Sequence, residues 1–290
     1  DLMRTFEKTP RRIWEEVYIT IHPGTLSRDG TWATRLITTC DQCGLCKTVC
    51  PQHIDFGEFF LQSHRAMRNK GAMPWPFHDF WLRDMAFSSG EARVCRRPPG
   101  VEKSRYAFFP RCQMAGSDAR YVTGSYAWLL SRQPDTAIWM TCCGAPAEWA
   151  GDEELYGQYR DTLRAEWRSL GEPTVILACP NRRKLFARYL PEIPGVFLSQ
   201  VMEEWGIEPS APGPGIAFSP VYAVFDPCTS REFPELQESV RRLMDAHGLG
   251  RESLPYEGEK ARCCGYGGHI GIAATAYSRR IAHLRSEESP

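Results

Sequence analysis

The chain has 290 residues, 42% of them apolar and 24% charged, which is length enough to bury one large core or two to three small ones. Lys plus Arg balance Asp plus Glu at 35 each, and a net charge of zero argues against a nucleic-acid binder that relies on phosphate contacts. No apolar run approaches the ~18 residues of a membrane span, and the N-terminus carries no charged-then-apolar leader; opening on Asp1 rather than Met fits processing or excision from a longer chain.

Twelve cysteines are the dominant feature, too dilute for a small disulfide scaffold and too many for an ordinary cytosolic core. Two of the pairs, Cys142-Cys143 and Cys263-Cys264, are adjacent in sequence, and a bond between neighbours strains the backbone. The distribution reads more easily as metal-ligand sets in a reducing compartment, which points to the cytoplasm.

In chain order, a mixed, charged N-terminal stretch (MRTFEKTPRRIWEEVYITIHPGTLSRDG) leads to TTCDQCGLCKTVCPQHID, in which Cys40, Cys43, Cys46 and Cys50 have the spacing of the bacterial ferredoxin run ending in Cys-Pro. A tight loop of this kind presents three thiolates to three corners of a cubane, and Gly44 lies where a side chain would crowd the turn. Structural zinc is the rival, but it usually draws its four ligands as two separated pairs. In two-cluster ferredoxins the fourth cysteine of the run serves the other cluster. Here there is no second run, so the preferred set is Cys40, Cys43, Cys46 and Cys95, and the competing set uses Cys50 in place of Cys95. The spacing of FGEFFLQSHRAMRN predicts a helix over 56–69, and His53 and His64 read as satisfied surface or core histidines. The aromatic residues from Trp75 to Phe87 suit a core or a docking face equally.

Beyond Cys95, three short apolar runs each end where a cysteine begins: AFF before Cys112, AIWM before Cys142-Cys143, and TVILA before Cys179. Helices are expected over 116–130 and over EELYGQYRDTLRAEWRSLG, the latter ended by Gly171 and Pro173. Strands alternating with helices imply a small, mainly parallel sheet, whose carboxyl ends would bring Cys112, Cys142, Cys143 and Cys179 to one crevice. From about Gly195 the pattern recurs. YAFFPRC at 106–112 matches YAVFDPC at 222–228 in four of seven positions, and TCCGAP at 141–146 answers RCCGYG at 262–267, which points to a duplicated unit. REFPELQESVRRLMDAHG is a helix stopped by Gly248, and CCGYGGHIGIAATAYSRRIAHLR enters a long helix. The gap from Cys143 to Cys179, repeated from Cys264, ends at residue 300; either the natural chain continues or this half binds with Cys228, Cys263 and Cys264 alone. His269 is not counted as a ligand. No glycine cluster forms GxGxxG after a strand, so a flavin or nicotinamide fingerprint is missing; the glycines of GYGGHIG instead let backbone crowd around a cofactor.

These residues resemble a known family. The doublet-containing modules look like the cysteine-rich CCG domains of the heterodisulfide reductase catalytic subunit, and the Cys40 run looks like that enzyme's small iron–sulfur subunit. The fused arrangement is similar to single-chain heterodisulfide-reductase-like proteins and to the iron–sulfur subunits of glycolate, lactate and glycerol-3-phosphate oxidation, over roughly residues 36–290. The resemblance implies an α+β to α/β chain: a small helical ferredoxin-like [4Fe-4S] segment with its N-terminal extension (1–100), then two repeated α/β CCG modules (101–194 and 195–290, the second truncated). It implies a ferredoxin-type [4Fe-4S] cluster and one or two further clusters of a non-cubane [4Fe-4S] kind in the modules, held by Cys112, Cys142, Cys143 and Cys179 in the first and by Cys228, Cys263 and Cys264 in the second. The pattern departs from the family at CPNR, where Arg182 stands in place of the closing cysteine, and in the second module, where the closing block is missing.

The implied function is electron relay within a multisubunit oxidoreductase, between a partner such as a flavoprotein, hydrogenase, formate dehydrogenase or membrane quinone-reactive subunit and an acceptor. Disulfide cleavage at a CCG-bound cluster is the alternative, and a zinc-stabilised, non-redox scaffold is the rival from another class. The expected location is cytoplasmic, with membrane association through a partner, and no nucleic acid is involved.

Overall fold

A computed structural model of the chain describes residues 2–22, 36–208 and 221–287; the end of the N-terminal stretch, 23–35, lies outside them. The chain falls into two compact units. One is made of residues 1–85, 144–157 and 260–290, the other of 86–143 and 158–259. Both are discontinuous in sequence, so they do not coincide with the three consecutive segments drawn from the motifs.

The second unit is built on a five-stranded sheet of β1 (Val94–Arg96), β2 (Tyr106–Phe109), β3 (Ala137–Met140), β4 (Thr174–Leu177) and β5 (Gly195–Phe197), in the order β1-β3-β2-β4-β5. All neighbours are parallel except the edge pair β1 and β3. Because side chains alternate along a strand, β2 to β4 cover both faces with apolar groups. Phe109, Trp139, Val175 and Leu177 pack with Leu163, Trp167 and Phe186 on one face, and Phe108 and Ile176 pack with Val122, Leu129 and Val201 on the other. The three apolar runs of the sequence are thus the three central strands, and the order reverses between β2 and β4, where α/β sheets open their crevice. A separate parallel pair, β6 (Val221–Ala223) and β7 (Gly250–Glu252), is bridged by the Pro234–Ala246 helix. Each cysteine doublet therefore follows a strand–helix–parallel strand passage.

Two expected helices are broken. The 116–130 segment is two helices, Cys112–Ser117 and Ala119–Arg132, because Asp118 is extended and its carboxylate caps the second by accepting from the Arg120 amide. The segment after Cys264 is a short 3-10 turn, Gly267–His269, then Ile270–Ala273 and Thr275–Ser286, with Ala274 out of helical geometry. The 56–69 helix and the helix over Glu153–Ser169 stand where the periodicity predicts them.

The first unit is helical. Pro10–Ile21, whose N-cap Thr9 accepts from the Arg12 amide, buries Ile13 and Val17 against Phe56, Phe60 and Met67 of the Phe56–Asn69 helix. In the Trp75–Ser89 helix His78 and Met85 are buried, whereas Trp75, Phe80 and Phe87 are exposed. Among the described residues no helix is long and apolar enough to cross a membrane.

Candidate metal centre

In the first unit the Cys40 run forms a loop that turns into the short helix Leu45–Val49 through Gly44, at φ 75°. A Cβ at Gly44 would meet nothing within 4 Å. Glycine is required there by the left-handed backbone and not by crowding, which corrects the expectation from spacing. Cys40 and Cys46 pack against the Ile13–Phe60 core. Burial pushes the Cys40 thiol well up, with Asp41, Cys43 and Cys46 adding to it, and burial raises Cys46 as well. Backbone amides oppose these shifts: Gln42 donates to Cys40, and Phe56 and Gly57, the first residues of the Phe56–Asn69 helix, donate to Cys46.

The run does not stand alone. Among the described residues, the ligand atoms of Asp41, Cys43 and Cys263 lie within 4.8 Å of one another. Cys263 is buried and its Sγ accepts from the Gly265 amide at 3.1 Å. Cys264 is exposed, and a hydrogen bond with Cys263 lowers its thiol to about 6. The glycines that follow lie directly on the run: a Cβ on Gly267 would collide with the Asp41 carbonyl, and one on Gly268 with that of Cys40. Tyr277 closes the site, its hydroxyl pushed up by burial and by Asp41, Cys263, Cys40 and Cys43. Beyond the glycines His269 is fixed in the same unit, with Nδ1 2.7 Å from Nδ1 of His78, its ring stacked on Trp81 and edge-on to Trp149. His64 is a buried core histidine as expected, facing the Trp149 and Ile37 carbonyls. A buried Cys263 and the half-buried Cys40, Cys43 and Cys46, three of the four served by backbone amide donors, fit a thiolate-bound iron–sulfur group.

The second unit holds a different arrangement. Cys112, Cys142-Cys143 and Cys179 follow the carboxyl ends of β2, β3 and β4, and the acidic groups bearing on the buried guanidinium of Arg182 are these four thiols. Arg182 is 3% exposed. It donates to Cys112 Sγ at 3.2 Å, to the Thr141 carbonyl at 3.5 Å and to the Pro110 carbonyl, and it lies 4.1 Å from the centroid of Phe109. Burial works against its charge, but the thiols outweigh burial and hold its pKa above the ordinary value. Arg182 is hydrogen-bonded to Cys112 and two strand-end carbonyls and stands three residues after Cys179, so as arranged this set lacks a fifth thiolate and carries a cation beside the four it has. Cys142 also lines a cavity of about 240 Å³ with Ser89, Thr141 and Tyr159.

Cys95 lies on the edge strand β1, paired with Trp139, and burial and Glu166 push its thiol up to about 11. Glu166 is itself held by the Trp139 indole N–H at 2.7 Å and by Arg93 at 2.9 Å. Cys50 ends the Leu45–Val49 helix, its amide donating to the Cys46 carbonyl. Cys228 opens a 3-10 turn in the second unit, whereas Cys263 and Cys264 belong to the first. Asp41 and Tyr277 were missed by sequence reasoning; Asp41 carries the weak signal of lying between two cysteines, and Tyr277 carries none.

The family model for a CCG cysteine-rich domain matches residues 222–288, which contain Cys228 and the second doublet. No curated protein and no solved structure matches the chain significantly. A CCG domain is typical of heterodisulfide-reductase-like iron–sulfur subunits and fits metal binding and a redox role.

Proposed function

We propose that the chain is an iron–sulfur electron-transfer subunit of a heterodisulfide-reductase-like oxidoreductase complex, relaying electrons between a partner redox subunit and an acceptor. The observation that carries this reading is the approach of Cys263 to Cys43 and Asp41, within 4.8 Å, beside Cys40 and Cys46 of the same run, in a chain whose residues 222–288 match a CCG domain. A bound [4Fe-4S] cluster supplies a reversible one-electron step. The chain's own residues set its conditions. The thiolates hold the group, the Ile13–Phe60 core and Tyr277 keep water from it, and the amides of Gln42, Phe56, Gly57 and Gly265 soften the charge on sulfur, which favours the reduced form. The donor is a flavoprotein, hydrogenase, formate dehydrogenase or quinone-reactive subunit, and the compartment is the reducing cytoplasm.

The second reading, disulfide reduction at a CCG site, is favoured by the cavity beside Cys142 and opposed by Arg182. One experiment separates the readings: iron and acid-labile sulfide on the anaerobically purified chain, with EPR of the reduced and the thiol-treated oxidised states. About four irons with a reduced-state cubane signal is the expected result. An oxidised-state signal that changes with added thiol establishes disulfide chemistry. Zinc without sulfide overturns both readings and leaves a scaffold.

A further inference from the structure

We infer that Cys263, from the doublet of the matched CCG domain, is the fourth thiolate of the Cys40–Cys43–Cys46 centre. The doublet then closes the N-terminal centre and does not serve a separate site. The inference rests on the iron–sulfur reading above and names a ligand that spacing assigned to another set.

Three observations carry it. The Sγ atoms of Cys43 and Cys263 lie within 4.8 Å of each other, although 220 residues separate them in the chain. The segment that bears Cys263 is shaped to rest on the run, since Gly267 and Gly268 leave room only for hydrogen against the Asp41 and Cys40 carbonyls. Its continuation is pinned at both ends within the same unit: Ser278 Oγ donates to the Gly265 carbonyl at 2.7 Å, and His269 is held by His78, Trp81 and Trp149. Of the competitors, the Cys95 thiol bonds with Ser169 beside Glu166, and Cys50 ends the Leu45–Val49 helix with its amide donating to the Cys46 carbonyl. Cys263 Sγ also receives a backbone N–H, as Cys40 and Cys46 do, so all three sulfurs are prepared for negative charge.

The test uses the full chain, purified anaerobically, as wild type and as Cys263→Ser, Cys95→Ser and Cys50→Ser, each with iron and sulfide content, reduced and oxidised EPR, and circular dichroism to report folding. The wild type and the Cys95→Ser and Cys50→Ser variants are expected to hold about four irons with one signal. Cys263→Ser is expected to fall to about three irons or fewer and to lose or change that signal. A folded Cys263→Ser chain with four irons and an unchanged signal overturns the assignment, as does loss of iron in Cys95→Ser or Cys50→Ser alone, and in both cases the iron–sulfur reading stands. A wild-type chain with zinc and no sulfide removes that reading and the assignment together. If Cys263→Ser does not fold, Cys263→Ala reconstituted with iron and sulfide decides: a four-iron signal that requires 2-mercaptoethanol supports the assignment, and one that forms without it overturns the assignment.

Discussion

On the first turn of the Pro180–Tyr189 helix, three residues after Cys179, a guanidinium stands where the closing thiol of a Cys-x-x-Cys block would stand. Its contacts with Pro110, Thr141 and Cys112 make it part of the sheet's carboxyl-end architecture. A buried cation of this kind persists only with hydrogen-bond acceptors around it, and the Pro110 and Thr141 carbonyls and the Cys112 sulfur are those acceptors. Arg182→Cys removes the cation and restores a fifth thiol. On reconstitution it is expected to raise iron from about four to about eight per chain, and an unchanged iron count would show that something other than the guanidinium keeps a second cluster out. Asp41 acts by charge in the other unit, beside Cys43 and Cys263. Asp41→Asn takes away an anion that disfavours the reduced centre, so the midpoint potential is expected to rise by on the order of 50 mV in a redox titration; a fall would mean that Asp41 is a ligand.

At the scale of elements, helix termini do much of the positioning. The Phe56–Asn69 helix starts at Asp55, whose carboxylate accepts from the Glu58 amide at 3.1 Å, and the amides just inside that cap face Cys46. Asp55→Ala removes the cap at a cost of about 1 kcal/mol. A lower urea midpoint is therefore expected, together with faster loss of iron in a chelator, because the donors that serve Cys46 fray with the helix. Equal chelation rates in variant and wild type would separate the cap from the site. In the sheet, the carboxyl ends of β2, β3 and β4 were legible from apolar runs that each stop at a cysteine, since a buried parallel strand needs apolar groups on both faces. The break at Asp118 was not legible: helical periodicity passes through it, and only the Asx cap on the Arg120 amide divides the segment.

At the scale of the whole chain, three buried histidines make stability depend on pH. Burial lowers His78 to about 3, His269 to about 2 and His64 below its ordinary value, and the Nδ1 atoms of His78 and His269 lie 2.7 Å apart. Their native pKa values lie below the unfolded value of about 6.5, so the unfolded chain takes up protons first. The stabilisation is complete above pH ~6.5 and is lost progressively as pH falls toward 3. Between neutrality and pH ~5.5 the His78–His269 pair is expected to withdraw on the order of 2–3 kcal/mol. Urea denaturation across this range checks it, and His78→Gln should reduce the slope by about a third; equal slopes would assign the acid sensitivity to other groups.

The sequence by itself marked the cysteines of the site and the local elements. Cysteine spacing identified the Cys40 run, the doublets and the thiols at the strand ends, and periodicity located the principal helices, because these signals depend only on neighbours along the chain. Only the tertiary structure decided which cysteines meet. The order of motifs grouped Cys263 with Cys228, whereas folding put Cys263 within 4.8 Å of Cys43. That choice rests on Gly267 and Gly268 lying against two carbonyls 220 and more residues earlier and on a histidine pair 191 residues apart, and contacts at such separations leave no periodic trace in sequence.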